Sequence, residues 1–264
     1  MYVSDIGNED VQIFSYPAGK LVGTLTGFNE PNGLCSDSNG NVFVTDAYNN
    51  RIVEYAHGET QPLAVLSDTG ATPIGCAVGP TTGDLAVTNY QHLAYGTIAI
   101  YAHAQGTPTV YTGLWITFFC TYDGSGNLFI SGFDAKGPVV IGELAKGASQ
   151  VAIIPIGTQA GWAGGISWDG HHLALGDQYA SKFNPSQPNN VIYQLTIKDD
   201  LASVNKTMPL NGAEDVVQFW LRGKTVVAPD SSNENVGFFK YPKGGNPTKA
   251  LQGFYEPVGA TISK

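Results

Sequence analysis

The sequence predicts an all-β protein, a six-bladed β-propeller, on three observations. A short phrase, an apolar strand ending in Asp or Asn before a polar turn, recurs six times. Its copies lie 41, 43, 43, 45 and 53 residues apart, and the last returns to the first through the two termini in 39, so the 264 residues form a closed cycle. The composition has 33 Gly, 15 Pro and only 13% charged residues. That suits short strands and tight turns, and it lacks the Glu, Lys and Ala of surface helices. At 42% hydrophobic, the chain is long and apolar enough to bury a core.

The phrase reads Val3-Ser4-Asp5, Val44-Thr45-Asp46 and Val87-Thr88-Asn89, with weaker copies at Ile130-Ser131-Gly132, Leu175-Gly176-Asp177 and Ala228-Pro229-Asp230. A strand follows each turn, over 11–16, 51–55, 97–101, 139–143, 191–195 and 236–241. Several of these close on Tyr and a Gly-containing turn, as in Tyr16-Pro17-Ala18-Gly19. A further strand comes next, over 20–26, 61–66, 107–112, 150–156, 203–210 and 248–252. The fourth begins near Pro or Gly, as in Pro31-Asn32-Gly33-Leu34, and ends in hairpin turns such as Ser38-Asn39-Gly40-Asn41. Four strands in roughly 40–45 residues is the period of a propeller blade. Residues 256–263 read as an innermost strand without partners, and 2–26 supply the three strands such a blade lacks. The C-terminal strand is therefore expected to complete the first blade and leave no open edge, making 1–264 a single propeller domain.

The stretch from Pro31 to Ile52 carries a P-x-G-[LI] start, a D-x-x-G turn, a V-x-V-x-D strand and an N-x-R-I exit, and Tyr2-Val3-Ser4-Asp5-Ile6-Gly7-Asn8 repeats part of it. These motifs resemble the NHL-repeat family of propellers, related in architecture to gluconolactonase-like and streptogramin-lyase-like propellers. Blades three to six are degenerate: Gly132 replaces the Asp, and the Asn-Arg exit survives only in blade two. The resemblance implies the fold more than the function, because such propellers include binding modules, lactonases and lyases.

Charge narrows the partners. Thirteen Lys+Arg against 22 Asp+Glu give −9, which disfavours nucleic acid and anionic membranes. No run of about 18 apolar residues is present to span a bilayer. The three cysteines, Cys35, Cys76 and Cys120, sit in apolar stretches and read as small buried core residues; the alternatives are a Cys35–Cys76 bridge or a nucleophile. The chain opens directly on strand, and its low charge with abundant Gly, Thr, Asn and Tyr resembles secreted bacterial propellers. An extracellular or periplasmic monomer with its leader removed is expected, the cytoplasm being the alternative.

One face collects the loops between strands two and three and those leading into strand one. It gathers candidate ligand-binding residues Glu30, Asn32, Tyr48, Tyr90, His92, Trp115, Trp162, Tyr179, Glu214, Asp215 and Glu256, an acidic rim with aromatics between. The ring residues Asp5, Asp46, Asn89, Asp177 and Asp230 have two readings. Each accepts hydrogen bonds from its own turn, as Asx turns do, or several converge on Ca²⁺, which takes six to eight oxygens. His57, His103, His171 and His172 fall on the opposite face, leaving His92 alone on the rim, where a paired-His lactonase or lyase needs two. Tyr16, Tyr55, Tyr101 and Tyr241 recur in phase and read as packing between blades. The insertion at 178–190 reads as a partial lid or an inert loop. The expected function is a binding module for a protein, peptide or glycan; the alternative is a calcium-dependent lactonase, hydrolase or lyase at the channel.

Overall fold

In the computed structural model, which describes residues 1–68, 71–91 and 94–263, six four-stranded antiparallel sheets are arranged as blades. Blade 1 runs, from the channel outward, β24 (Pro257–Thr261), β1 (Tyr2–Asp5), β2 (Asp10–Phe14) and β3 (Leu21–Leu25). The C-terminal strand therefore closes the ring as the sequence predicts. Blade 2 is β4 (Pro31–Ser36), β5 (Val42–Asp46), β6 (Arg51–Tyr55) and β7 (Pro62–Ser67). Blade 3 is β8 (Thr72–Val78), β9 (Leu85–Tyr90), β10 (Thr97–Tyr101) and β11 (Thr109–Thr112). Blade 4 is β12 (Ile116–Tyr122), β13 (Leu128–Phe133), β14 (Val139–Leu144) and β15 (Ala152–Pro155). Blade 5 is β16 (Ala163–Trp168), β17 (Leu173–Asp177), β18 (Val191–Lys198) and β19 (Leu201–Pro209). Blade 6 is β20 (Trp220–Arg222), β21 (Thr225–Asp230), β22 (Asn235–Lys240) and β23 (Lys249–Gln252). No helix among the described residues is long and apolar enough to cross a membrane.

The core is distributed. Among the described residues six apolar clusters occupy the spaces between neighbouring blades, such as Tyr2, Leu25, Leu34, Val44 and Val53 between blades 1 and 2. Second strands are therefore buried on both faces, and β1, β5 and β17 are buried at every position. Outer strands close the sheets at the periphery and are largely exposed, with Leu21, Val22, Leu63 and Val65 in water.

The recurring phrase is explained residue by residue. Its hydroxyl clasps neighbouring inner strands: Ser4 donates to Asn32 O, Thr88 to Phe118 O and Ser131 to Gly164 O, each a carbonyl of the next blade. Thr45 turns back to Gly33 O of its own blade at 3.1 Å. The motif glycine is needed because inner strands approach at backbone distance there. A Cβ on Gly33 would sit 2.4 Å from Ile74 O, and one on Gly75 2.7 Å from Phe118 O. The ladder slips at the same places, between Pro31 and Leu34 and between Pro73 and Gly75. The in-phase tyrosines also join blades: Tyr101 donates to Ser67 O at 3.0 Å and Tyr241 to Asp169 Oδ2 at 2.8 Å.

One expectation is overturned. Cys35 and Cys76 are joined in a disulfide across the blade 2–3 interface, with Cα atoms 5.6 Å apart, and Cys120 alone is free and buried. The ladder shows why Cys120 lacks a partner. Cys35 pairs with Phe43, and Ala77 with Ala86. Phe43 and Ala86 each lie three residues before the ring position, so Ala77 is the blade 3 counterpart of Cys35. Cys76 and Cys120 are counterparts too: their sulfurs approach Phe43 O at 3.8 Å and Ala86 O at 3.9 Å, each on the preceding blade. Cys120 thus packs in the cluster that holds Ala77, where the matching sulfur is missing.

Candidate functional site

The ring carboxylates lie at the top ends of the second strands. Each joins its own turn to the loop leading into strand one of the same blade. Asp5 accepts from Asn8 N at 3.1 Å, Tyr255 N at 2.8 Å and Glu256 N at 2.9 Å. Asp46 accepts from Asn29 N and Arg51 Nε, both at 2.7 Å. Asp177 accepts from Gly161 N at 2.9 Å and from Trp162 N and Tyr179 N at 3.1 Å, with Tyr193 Oη at 3.2 Å. Asp230 accepts from Glu214 N and Asp215 N at 3.0 Å. These four side chains are buried. Their oxygens are occupied by N–H and O–H donors, the arrangement of the turn reading and a poor fit to the free oxygens calcium requires. Among the described residues no group of three or more His, Cys, Asp or Glu stands together as a metal would need.

The ring therefore positions the site instead of forming it. The loops it ties down carry the exposed candidates Glu256, Trp162 and Glu214 and the half-buried Glu30 and Asp215. Asn89, the blade 3 member, is buried with Nδ2 donating to Thr97 Oγ1 at 3.2 Å and Oδ1 unpartnered. Blade 4 cannot carry the carboxylate, because a Cβ on Gly132 would sit 2.0 Å from Ile116 O.

The top face divides into two halves. Over blades 6, 1 and 2 stand Asp215, Glu214, Glu256, Glu30 and the exposed rings of Tyr255 and Tyr48. Burial, then the charges of Asp5, Asp215 and Glu30, raise the Glu256 carboxyl above its ordinary range. The Tyr48 phenol is raised in turn by its hydrogen bond to Glu30. Among the described residues the one ion pair with a fixed cation is Arg51–Asp46, so the crown of Glu30, Asp215 and Glu256 is uncompensated. Asn32 stands half-buried on β4 at the channel, and Gln218, just before β20, passes the blade 1 inner strand at Gly259 to reach blade 2. The Gln218 side chain accepts from Leu34 N and donates to Leu34 O, both at 3.2 Å.

Over blades 3 to 5 the face is aromatic. Tyr95 and Trp115 meet edge to face with centroids 5.3 Å apart. Trp162 contacts Phe133 at 5.0 Å, Phe118 at 5.8 Å and Tyr179 at 6.5 Å. Beside it opens a groove of about 640 Å³ between blades 4 and 5, walled by Phe133, Pro138, Val139, Ile156, Trp162 and Phe183. The 178–190 insertion supplies Lys182 and Phe183 to this wall. It is anchored by Ala180 N donating to Asn189 O, and by Asn190 Oδ1 accepting from Val216 N at 3.0 Å. Tyr90 is half-buried at the end of β9; His92 lies outside the described residues. The four described histidines sit in turns on the opposite face. Sequence reasoning missed Phe118, Phe133 and Phe183; the signal was the Phe that follows the degenerate Ser131-Gly132.

Residues 28–55 match the NHL repeat family. No curated protein matches the chain in sequence. Among solved structures it is similar to a chain of a nidogen/laminin complex, at TM-score 0.74 and 15% identity over 98% of this chain and 95% of that one. It is also similar to a chain of Kuenenia stuttgartiensis hydrazine synthase, at TM-score 0.67 and 11% identity over 90% and 72%. At such identities the likeness concerns the fold alone.

Proposed function

We propose that this NHL-repeat six-bladed propeller is a non-catalytic binding module whose top face recognises a protein ligand. One observation carries the reading. Every aromatic side chain that stands exposed among the described residues, Tyr48, Tyr95, Trp162, Tyr179, Phe183 and Tyr255, lies on that face, at 41–65% exposure. Exposed aromatics are costly to leave in water and are the residues that dominate protein interfaces. Tyr48, Trp162, Tyr179 and Tyr255 stand on loops held by buried carboxylates, so little ordering remains there to oppose binding. NHL propellers commonly serve as protein-interaction modules, and the neighbour from the nidogen/laminin complex is named for an assembly of two proteins. The Cys35–Cys76 disulfide supports an oxidising compartment, extracellular or periplasmic, since such bonds are rare in the cytosol.

The test is capture from an extracellular protein mixture with three immobilised baits: the native chain, a Tyr48→Ala/Trp162→Ala/Tyr179→Ala variant, and a Lys146→Ala/His171→Ala variant of the opposite face. Partners retained by the native and opposite-face baits but lost by the first variant support the reading. A captured set that is the same for all three overturns it.

A further inference from the structure

The groove between blades 4 and 5 lies across the channel from the acidic crown, and the two halves differ in charge as well as polarity. Glu30, Asp215 and Glu256 stand over blades 2, 6 and 1 without a cation, whereas the groove side carries Lys182, its ammonium 5.3 Å from the Phe183 ring centroid. Resting on the top-face reading above, we propose that the groove takes an apolar side chain of an extended peptide segment whose Lys or Arg, several residues away, reaches the crown.

The groove argues for an apolar anchor. Phe133, Val139, Ile156, Trp162 and Phe183 make the larger part of its wall apolar, beside the polar side chains of Thr158, Gln159 and Lys182. Its volume of about 640 Å³ is within the range of pockets that enclose a large side chain or small ligand. The crown argues for the cation. Glu30, Asp215 and Glu256 share the crown without a cation, and their repulsion, which adds to burial in raising the Glu256 carboxyl, is relieved when an ammonium or guanidinium arrives; the acidic chain steers a basic segment toward them. The placement argues for a fixed spacing. Crown and groove lie on opposite sides of the channel, over blades 6, 1 and 2 and over blades 4 and 5, so an extended chain covering about 3.4 Å per residue needs several residues between its two anchors.

The probes are fluorescein-labelled Gly/Ser peptides carrying one Arg and one Trp separated by two to eight residues, with Arg→Glu and Trp→Ser controls, read by fluorescence polarisation. Peptides with both groups at the middle spacings should bind. Affinity should fall about tenfold or more for the Phe183→Ala protein and for the Asp215→Asn/Glu256→Gln protein, and only the native and Phe183→Ala proteins should lose affinity steeply with salt. Circular dichroism confirms that each variant is folded. Binding that ignores spacing, or is equal in both variants and the native protein, overturns the proposal, as does no binding by any peptide. If the peptides fail while the bait experiment still shows loss of partners with the top-face variant, this assignment falls and the broader reading stands. If both fail, both fall.

Discussion

Replacing Ala77 by cysteine should create a second disulfide, from the introduced sulfur to Cys120, the blade 3–4 counterpart of Cys35–Cys76. Ala77 occupies the ladder position of Cys35, and Cys120 that of Cys76. Cys120 and Ala77 share one buried cluster, and the sulfurs of Cys76 and Cys120 approach Phe43 O and Ala86 O at nearly equal distances, 3.8 and 3.9 Å. The native bridge spans a sequence separation of 41, and the new one would close a loop of similar length. Loop-closure entropy for about 43 residues gives an upper value of about 4 kcal/mol, and engineered bridges commonly deliver less. With an unfolding entropy of about 2.1 cal/mol/K per residue, a gain of about 2–4 kcal/mol raises Tm by about 4–8 °C. The assay is thiol titration in denaturant under non-reducing conditions, with intact mass and a thermal melt. The native protein should show one thiol and the Ala77→Cys variant none. Two titratable thiols in the unfolded variant, after purification from an oxidising compartment, would refute the equivalence on which the argument rests.

Other predictions follow from the ring and from pH. Asp177→Ala removes the acceptor shared by Gly161, Trp162, Tyr179 and Tyr193. It should cost about 2–4 kcal/mol in urea denaturation and alter Trp fluorescence, because orphaned donors remain behind; an unchanged midpoint would count against the ring as a support of the site. Asp10 faces Asp5 across the β1–β2 ladder, and burial first, then the Asp5 charge, push its carboxyl from 3.8 up to about 6. The folded state therefore holds a proton that the unfolded chain releases, so the Asp10 contribution falls as pH rises from about 4 to 6 and is fully lost above. Asp10→Asn should stabilise by about 1 kcal/mol at about pH 7–8, after allowing for partial solvent screening, with no gain below about pH 4. Thermal melts across that range check the sign, and a gain that persists in the acid range contradicts it.

The fold was legible because a propeller writes its geometry into the chain at a fixed period. The Asp at the end of most second strands, the Tyr that closes or follows the third strand in four blades and the Gly in four of the inner strands recur because the same contact is made from blade to blade. The unpaired 256–263 announced ring closure for the same reason. The turn role of the Asp ring was legible as one of two readings. That each carboxylate also grips the loop leading into strand one was not, since donor and acceptor lie about 16 residues, or for Asp5 about 250, apart in sequence.

The site was legible only as a list of loop residues sharing a face. Its division into an acidic crown and an aromatic groove depends on which blade stands opposite which, a relation between segments distant along the chain. The disulfide depended on side-chain direction across a blade interface: Cys35 faces blade 3, Cys76 faces blade 2, and Cys120 faces an alanine. Periodicity along one chain reports contacts that every blade repeats. Contacts made once, between loops or between two particular blades, carry no period, and only the assembled ring decided them.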